Sequence, residues 1–316
     1  MAANVETMFS VREKPWHGLG TIVQDAPNSA EAIRLAGLDW AVIPKPLFIE
    51  GNPEPIEGLV ANTRSSDNSV LGVVTPKYKA VQNVKAFDFV DALIDNGDVR
   101  YETAGALQNG KKVWMLGKLN QSSKILGDKV EQYVVFSNSH DGKGAIQIAV
   151  TPIRVVCQNT LNLALNNASR MWSTRHMGNM QEKLIQAQNV LNRTKVYMEA
   201  LSETAEGLSQ YSLRRGEIEM ILDAMFPIEE DATDRARNNK DQCKEEILTL
   251  CSAPDLQKFG SNNAWTFVNA VADWVDHRIP QRASVKFAES NFDKVVSGHP
   301  VLDQAYSLVK TLAKVA

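Results

Sequence analysis

The residues best suited to chemistry lie between Ser137 and Met180, in the run SNSHDGKGAIQIAVTPIRVVCQNTLNLALNNASRMWSTRHMGNM. Gly142 to Met198 contain seven Lys/Arg and one acid, Glu182, in a chain whose net charge is −3. Residues 216–316 carry sixteen acids against eleven bases, so the positive charge is local. A basic island on an otherwise acidic chain is the footprint of a site for phosphate or another anion; the alternative is a solvated face balanced by acids elsewhere in the fold. Lys143, Arg154, Arg170, Arg175 and His176 supply the charge and donors, and Trp172, Tyr78 and Trp114 offer surfaces on which bases could stack, core packing being the alternative for each ring. Gln158, Asn159 and Asn162 add amides to the same stretch. Asparagine is a mediocre helix former, so its density here leaves two readings: hydrogen bonds to a ligand, or to carbonyls of neighbouring loops or subunits.

Other chemistries find little support. The five histidines, His17, His140, His176, His277 and His299, form no HxxxH, HxH or HExxH pair. A metal site would have to be assembled from distant residues such as His140, Asp141 and His176, and none is expected. Cys157, Cys243 and Cys251 form no CxxC pair, and an odd count without close pairing points to a reducing compartment. No GxSxG, Walker A or paired-carboxylate pattern occurs, and Gly142-Lys143-Gly144 lacks the spacing of a phosphate loop. The expectation is a protein without catalytic residues or cofactor. No charged-then-apolar leader and no membrane-length apolar run is present, so a cytoplasmic location with no membrane contact is expected.

The elements that must hold these residues follow from periodicity and turn chemistry. A length of 316 residues suggests about two domains, and 44% hydrophobic content allows a sizeable core. Residues 1–30 show little periodicity and read as an N-terminal arm. Within it, Trp16 and His17 sit in a Gly/Pro-rich loop, more in the manner of a plug than of a site. Residues 31–180 read as the core domain. Ser29 caps a short helix ended by Gly37, and Trp40–Ile43 and Leu47–Ile49 read as two short strands. Leu59–Arg64 and Val70–Thr75 flank a polar turn as a hairpin, and Asn83–Asn96 is a helix. Gln108-Asn109-Gly110-Lys111 joins two strands, because Asn and Gly tolerate positive φ. A further hairpin turns at His140–Gly144. Thr151-Pro152 reads as the start of a helix to residue 168, with Thr at the cap and Pro in the first turn. Residues 181–316 read as mainly helical, with helices at Gln181–Ser209, Arg215–Met225, Lys240–Cys251, Asn262–His277 and Pro300–Val315. The fold class is α+β: a curved antiparallel β-sheet with helices packed on one face, followed by a mainly helical C-terminal region.

Several pieces, in order along most of the chain, carry a resemblance. They are Pro15-Trp16-His17-Gly18-Leu19-Gly20, Tyr78-Lys79-Ala80-Val81-Gln82-Asn83, Gly110-Lys111-Lys112-Val113-Trp114, Ser139-His140-Asp141-Gly142, Arg154-Val155-Val156-Cys157-Gln158-Asn159-Thr160, Arg175-His176-Met177-Gly178-Asn179, and Ala264-Trp265 through Asp276-His277. With them the chain resembles the phage/plasmid-like proteins grouped as domain of unknown function nine-three-two. The resemblance implies a gene carried by phages, prophages or plasmids, and no catalytic residues. At the level of fold, a hairpin-rich sheet followed by a packed helix is also similar to Rad-type single-strand annealing proteins, which form rings and hold single-stranded DNA in a basic groove. Together these give the leading expectation: a non-enzymatic single-stranded DNA-binding, annealing-type protein acting as a homo-oligomer. The rival is a phage interaction protein that neutralises a host defence or regulatory factor by direct contact with a host or phage protein partner, a role the acidic helical C-terminal region would carry.

Overall fold

The computed structural model describes residues 5–11, 20–93, 100–154, 171–187, 189–278 and 299–314. Trp16, His17, Gln158, Asn159, Asn162 and Arg170 lie outside the described residues, as does the stretch read from sequence as a helix over 155–168. In chain order the elements are β1 (Val5–Val11), β2 (Thr21–Val23), α1 (Ser29–Leu35), β3 (Val42–Phe48), β4 (Pro55–Arg64), β5 (Val70–Val74) and α2 (Asn83–Leu93). There follow β6 (Arg100–Leu107), β7 (Lys112–Ile125), β8 (Asp128–Ser139), β9 (Ile146–Arg154) and β10 (Met171–Thr174). The helical part comprises α3 (Met180–Ala187), α4 (Asn189–Ser209), α5 (Arg215–Met225), α6 (Asp234–Cys251), α7 (Pro254–Gln257), α8 (Ala264–His277) and α9 (Pro300–Ala313). No helix among the described residues is long and apolar enough to cross a membrane. The architecture is α+β, as the sequence indicates.

Turn chemistry builds the main sheet. Gln108, Asn109 and Gly110 have φ of 54°, 56° and 80°, the left-handed conformations that Asn and Gly accept cheaply, and they close the β6–β7 hairpin. β6 to β9 form an antiparallel meander inside a seven-stranded sheet of order β10-β9-β8-β7-β6-β1-β2, in which only the β1–β2 pair is parallel. A separate sheet has the order β3-β4-β5, with Asn68 at φ 60° in the β4–β5 turn.

Three departures from the sequence reading have physical causes. The N-terminal arm contributes β1, which pairs with β6. Its neighbours Met8 and Phe9 point to opposite faces and both are buried, so the alternation that marks a half-exposed strand is missing. Val42–Phe48 is one strand rather than part of two. It tolerates Pro44 and Pro46 because β3 is an edge, where a missing N–H costs no ladder bond. Thr151 and Pro152 do not open a helix. They continue β9 opposite Tyr133 and Gln132, beyond the point where β10 stops at Met171↔Ala149. Pro152 therefore sits on a stretch of β9 that is paired on one side only among the described strands.

Two cores result. One lies between α1 and α2 and one face of the sheet, and includes Phe9, Ala36, Phe87, Val90, Met115, Phe136 and Ile148. The other lies within the helices, around Tyr197, Leu201, Trp265, Phe267 and Tyr306. The β7–β8 hairpin outruns β6 and inserts Ile125 and Val130 into that second core. Each such side chain stabilises by about 1.5–3 kcal/mol.

Candidate anion-binding corner

One end of the sheet is organised by the turn from Ser139 to Gly144. Asp141 Oδ1 accepts from Ser139 Oγ at 2.5 Å and from the Lys143 amide at 2.8 Å, which folds the turn on itself. The small sheet closes over it. A Cβ on Gly72 would fall 2.5 Å from Asp141 Cα, so only glycine lets β5 approach this closely. Asn62 donates to the His140 carbonyl at 2.9 Å, and the His140 amide donates to the Lys111 carbonyl at 2.7 Å.

His140 is fully buried, edge-on to Trp40 at 5.5 Å. Asn83 donates through Nδ2 to the Leu38 carbonyl, so its Oδ1 is the acceptor for His140 Nε2–H at 3.1 Å. Nδ1 of His140 then carries the lone pair and has no partner among the described residues. Burial pushes this imidazole down to about 3, with nearby His176 lowering it further and Asp141 opposing, so the ring is neutral at ordinary pH.

His176 comes to the same place from 36 residues further on. It is 2% exposed, stacked on Tyr78 with centroids 4.6 Å apart and planes 21° from parallel. The Tyr78 hydroxyl donates to the Ser139 carbonyl. The Lys79 amide donates to the His176 carbonyl at 2.8 Å, and His176 Nδ1–H donates to the Lys79 carbonyl at 3.1 Å. Burial pushes the His176 ring down; the Lys79 carbonyl and Asp141 oppose this, and Lys183 adds to it. Lys183 Nζ donates to the Arg175 carbonyl at 3.1 Å.

Around this buried knot Lys77, Lys79, Lys143 and Arg175 are exposed, and Lys183 is half-exposed. None of the five has a carboxylate partner within ion-pair distance among the described residues. Cations without carboxylate partners on a hydrogen-bonded frame, with neutral imidazoles beneath them, offer multidentate contact to phosphate oxygens. His140, Asp141 and His176 do gather here, yet among the described residues no group of three or more His, Cys, Asp or Glu is placed to hold a metal ion.

The residues singled out from sequence divide accordingly. Lys143 and Arg175 reach the corner. His176 does too, but as a buried brace rather than the direct phosphate or base contact expected of it. Arg154 ends β9 opposite Val130, eight residues from Ile146 and roughly 26 Å along the strand from the turn, so it does not share the corner. Trp172 pairs with Ile148 and is half-buried against the sheet core, Trp114 is buried with Met8 and Leu107, and Tyr78 is committed to His176. The aromatic rings are thus largely spent on packing. Lys77 and Lys79 were not singled out for charge, and Asn83 and Asp141 not as braces. The available signal was that YKAVQN, SHDG and RHMGN, three pieces carrying the resemblance, meet at this point.

Comparison with known proteins agrees with that resemblance as to the family. The family model described as Domain of unknown function (DUF932) matches residues 70–296, which contain most of the corner and most of both cores. No curated protein and no solved structure matches the chain. By a family match that spans well over half its length, the chain belongs to the DUF932 family.

Proposed function

We propose that this chain is a phage- or plasmid-encoded protein that binds single-stranded DNA in the manner of annealing proteins, without catalysis of its own, as a cytoplasmic homo-oligomer. The observation that carries the reading is the set of five cations, Lys77, Lys79, Lys143, Arg175 and Lys183, left without ion-pair partners among the described residues around one braced corner. Cations without aromatic platforms favour the phosphate backbone over the bases, and bases left free are what strand annealing requires. The antiparallel sheet is compatible with the likeness to Rad-type proteins at the level of fold alone.

Fluorescence anisotropy with labelled dT30 tests it. Binding with a Kd of micromolar or tighter at low salt is expected, and five neutralised phosphates give a slope of about −3.5 in log K against log salt. Arg175→Glu removes most of the binding with no loss of fold, and absence of binding by the wild type at low salt defeats the proposal. Light scattering with and without dT30 reads the oligomer.

A second reading, direct contact with a host or phage protein, has an observation of its own. Ile43, Phe48, Ile49, Val70 and Val73 on the small sheet and its rim are between 41% and 60% exposed. Exposed large apolar side chains brought to one small sheet favour an interaction surface there. A pull-down that survives nuclease treatment favours it.

A further inference from the structure

The corner contains a device that the proposed function does not by itself require. Two segments 97 residues apart are joined by reciprocal hydrogen bonds, Lys79 N–H to the His176 carbonyl and His176 Nδ1–H to the Lys79 carbonyl. The imidazole making the return bond is buried, flat against Tyr78, and its Nε2 has no partner among the described residues. The exposed cations nearest this clasp in the chain are Lys79 itself and Arg175, the residue just before the histidine. Both are exposed and neither has an ion-pair partner among the described residues. Like charges drift apart unless something holds them. Here the clasp holds one side, and Lys183, donating to the Arg175 carbonyl, secures the other.

We infer that the Lys79–His176 clasp is the positioning device of the anion site, setting Lys79 and Arg175 as a two-pronged clamp for neighbouring phosphoryl groups. The inference rests on the DNA-binding reading for its natural ligand; the clamp itself asks only for a polyanion with closely spaced phosphoryl oxygens. His176 is a positioning residue, since its ring does not reach the surface. Its surroundings fit that task. Tyr78 and Lys79 face it from the segment before α2, His140 and Asp141 from the β8–β9 turn, and Lys183 from α3. Burial favours the neutral ring, and the Lys79 carbonyl selects the tautomer that carries its proton on Nδ1. A clamp assembled before the ligand arrives loses less side-chain freedom on binding.

Two substitutions and two probes test this. His176→Phe keeps the stack on Tyr78 and removes the donor, while His176→Asn restores an N–H close to Nδ1. Binding is measured to labelled dT30 and to inorganic tripolyphosphate, with far-UV circular dichroism as the check on folding. His176→Phe is expected to lose about tenfold in affinity for both probes. Its salt slope on dT30 should flatten by about 1.4, the value for two lost phosphate contacts. His176→Asn should recover most of both. Lys79→Ala/Arg175→Ala placed on His176→Phe should add little, because coupled residues are not additive.

A His176→Phe protein with wild-type slope and affinity overturns the inference, as does a His176→Asn protein no better than His176→Phe. If His176→Phe fails to fold, the slope of His176→Asn decides: near wild type supports the clasp, flattened overturns it. Wild-type protein that binds tripolyphosphate but not dT30 keeps the clamp and defeats the DNA reading. Wild type that binds neither probe defeats both.

Discussion

The two ends of β8 treat positive charge in opposite ways. At the Asp128 end, Glu131 takes both Lys118 at 2.6 Å and Lys129 at 2.8 Å, and accepts from the Tyr133 hydroxyl at 2.8 Å. Burial pushes its carboxyl up, but Lys118, Lys129 and Tyr133 more than offset that and hold it down to about 2. At the Ser139 end, Asp141 is turned inward to Ser139 Oγ and the Lys143 amide, and the cations around it have no carboxylate within ion-pair distance among the described residues. One strand therefore carries a closed charge cluster and an open one. The closed cluster stabilises the fold where the hairpin enters the helical core. The open one leaves its cations without compensating carboxylates, as the proposed anion site requires. Cations matter for binding according to which carboxylates are spoken for, more than according to how many cations a stretch contains.

That contrast can be broken in four ways, from the largest effect to the smallest. Lys79→Glu together with Arg175→Glu should lower affinity for dT30 by more than about 100-fold, since each reversal removes a phosphate contact and adds a repulsion. Lys129→Glu should change it little, and equal losses from both ends would remove the distinction. Gly72→Ala should cost about 1–3 kcal/mol in urea denaturation, because its Cβ has no room against the Asp141 backbone, and should weaken DNA binding as the turn is displaced. Glu131→Gln should cost about 2 kcal/mol through weaker charge-assisted hydrogen bonds to Lys118 and Lys129. It should also raise dT30 affinity slightly by opening the closed cluster.

The smallest effect is on pH. Both buried imidazoles titrate below their ordinary value of 6.5, so the unfolded chain binds protons first as pH falls. Their contribution is fully present above pH 6.5 and is lost as pH drops toward the folded values, about 3 for His140. Melting temperature should hold between pH 7 and 8 and decline below 6.5. His140→Phe should soften that decline if it folds, and an unchanged profile would show that the imidazoles do not set it.

Much of the fold could be read from local chemistry. Arg215–Met225 is a helix with the expected bounds, and the hairpins at Gln108–Lys111 and His140–Gly144 form where turn residues require them. What escaped was set by distant partners. β1 hides because both its faces are covered. Pro152 reads as a helix start when its strand neighbours are unknown, and Pro44 and Pro46 read as breaks until β3 is seen to be an edge. The corner was legible only in part. Lys143 and Arg175 stood out by charge, whereas Lys79 acquires its role from a histidine 97 residues away, a pairing that periodicity cannot reveal.

The pairing of β1 with β6 has a consequence for biosynthesis. Phe9 sits opposite Ala104, so the N-terminal strand leaves the ribosome nearly one hundred residues before its antiparallel partner exists. At ordinary translation rates that is a wait of roughly 5–20 s. Through it the apolar pair Met8 and Phe9 stays available to chaperones or to other nascent chains. The main sheet, and the corner carried on it, can close only after β6 has emerged to receive its first strand.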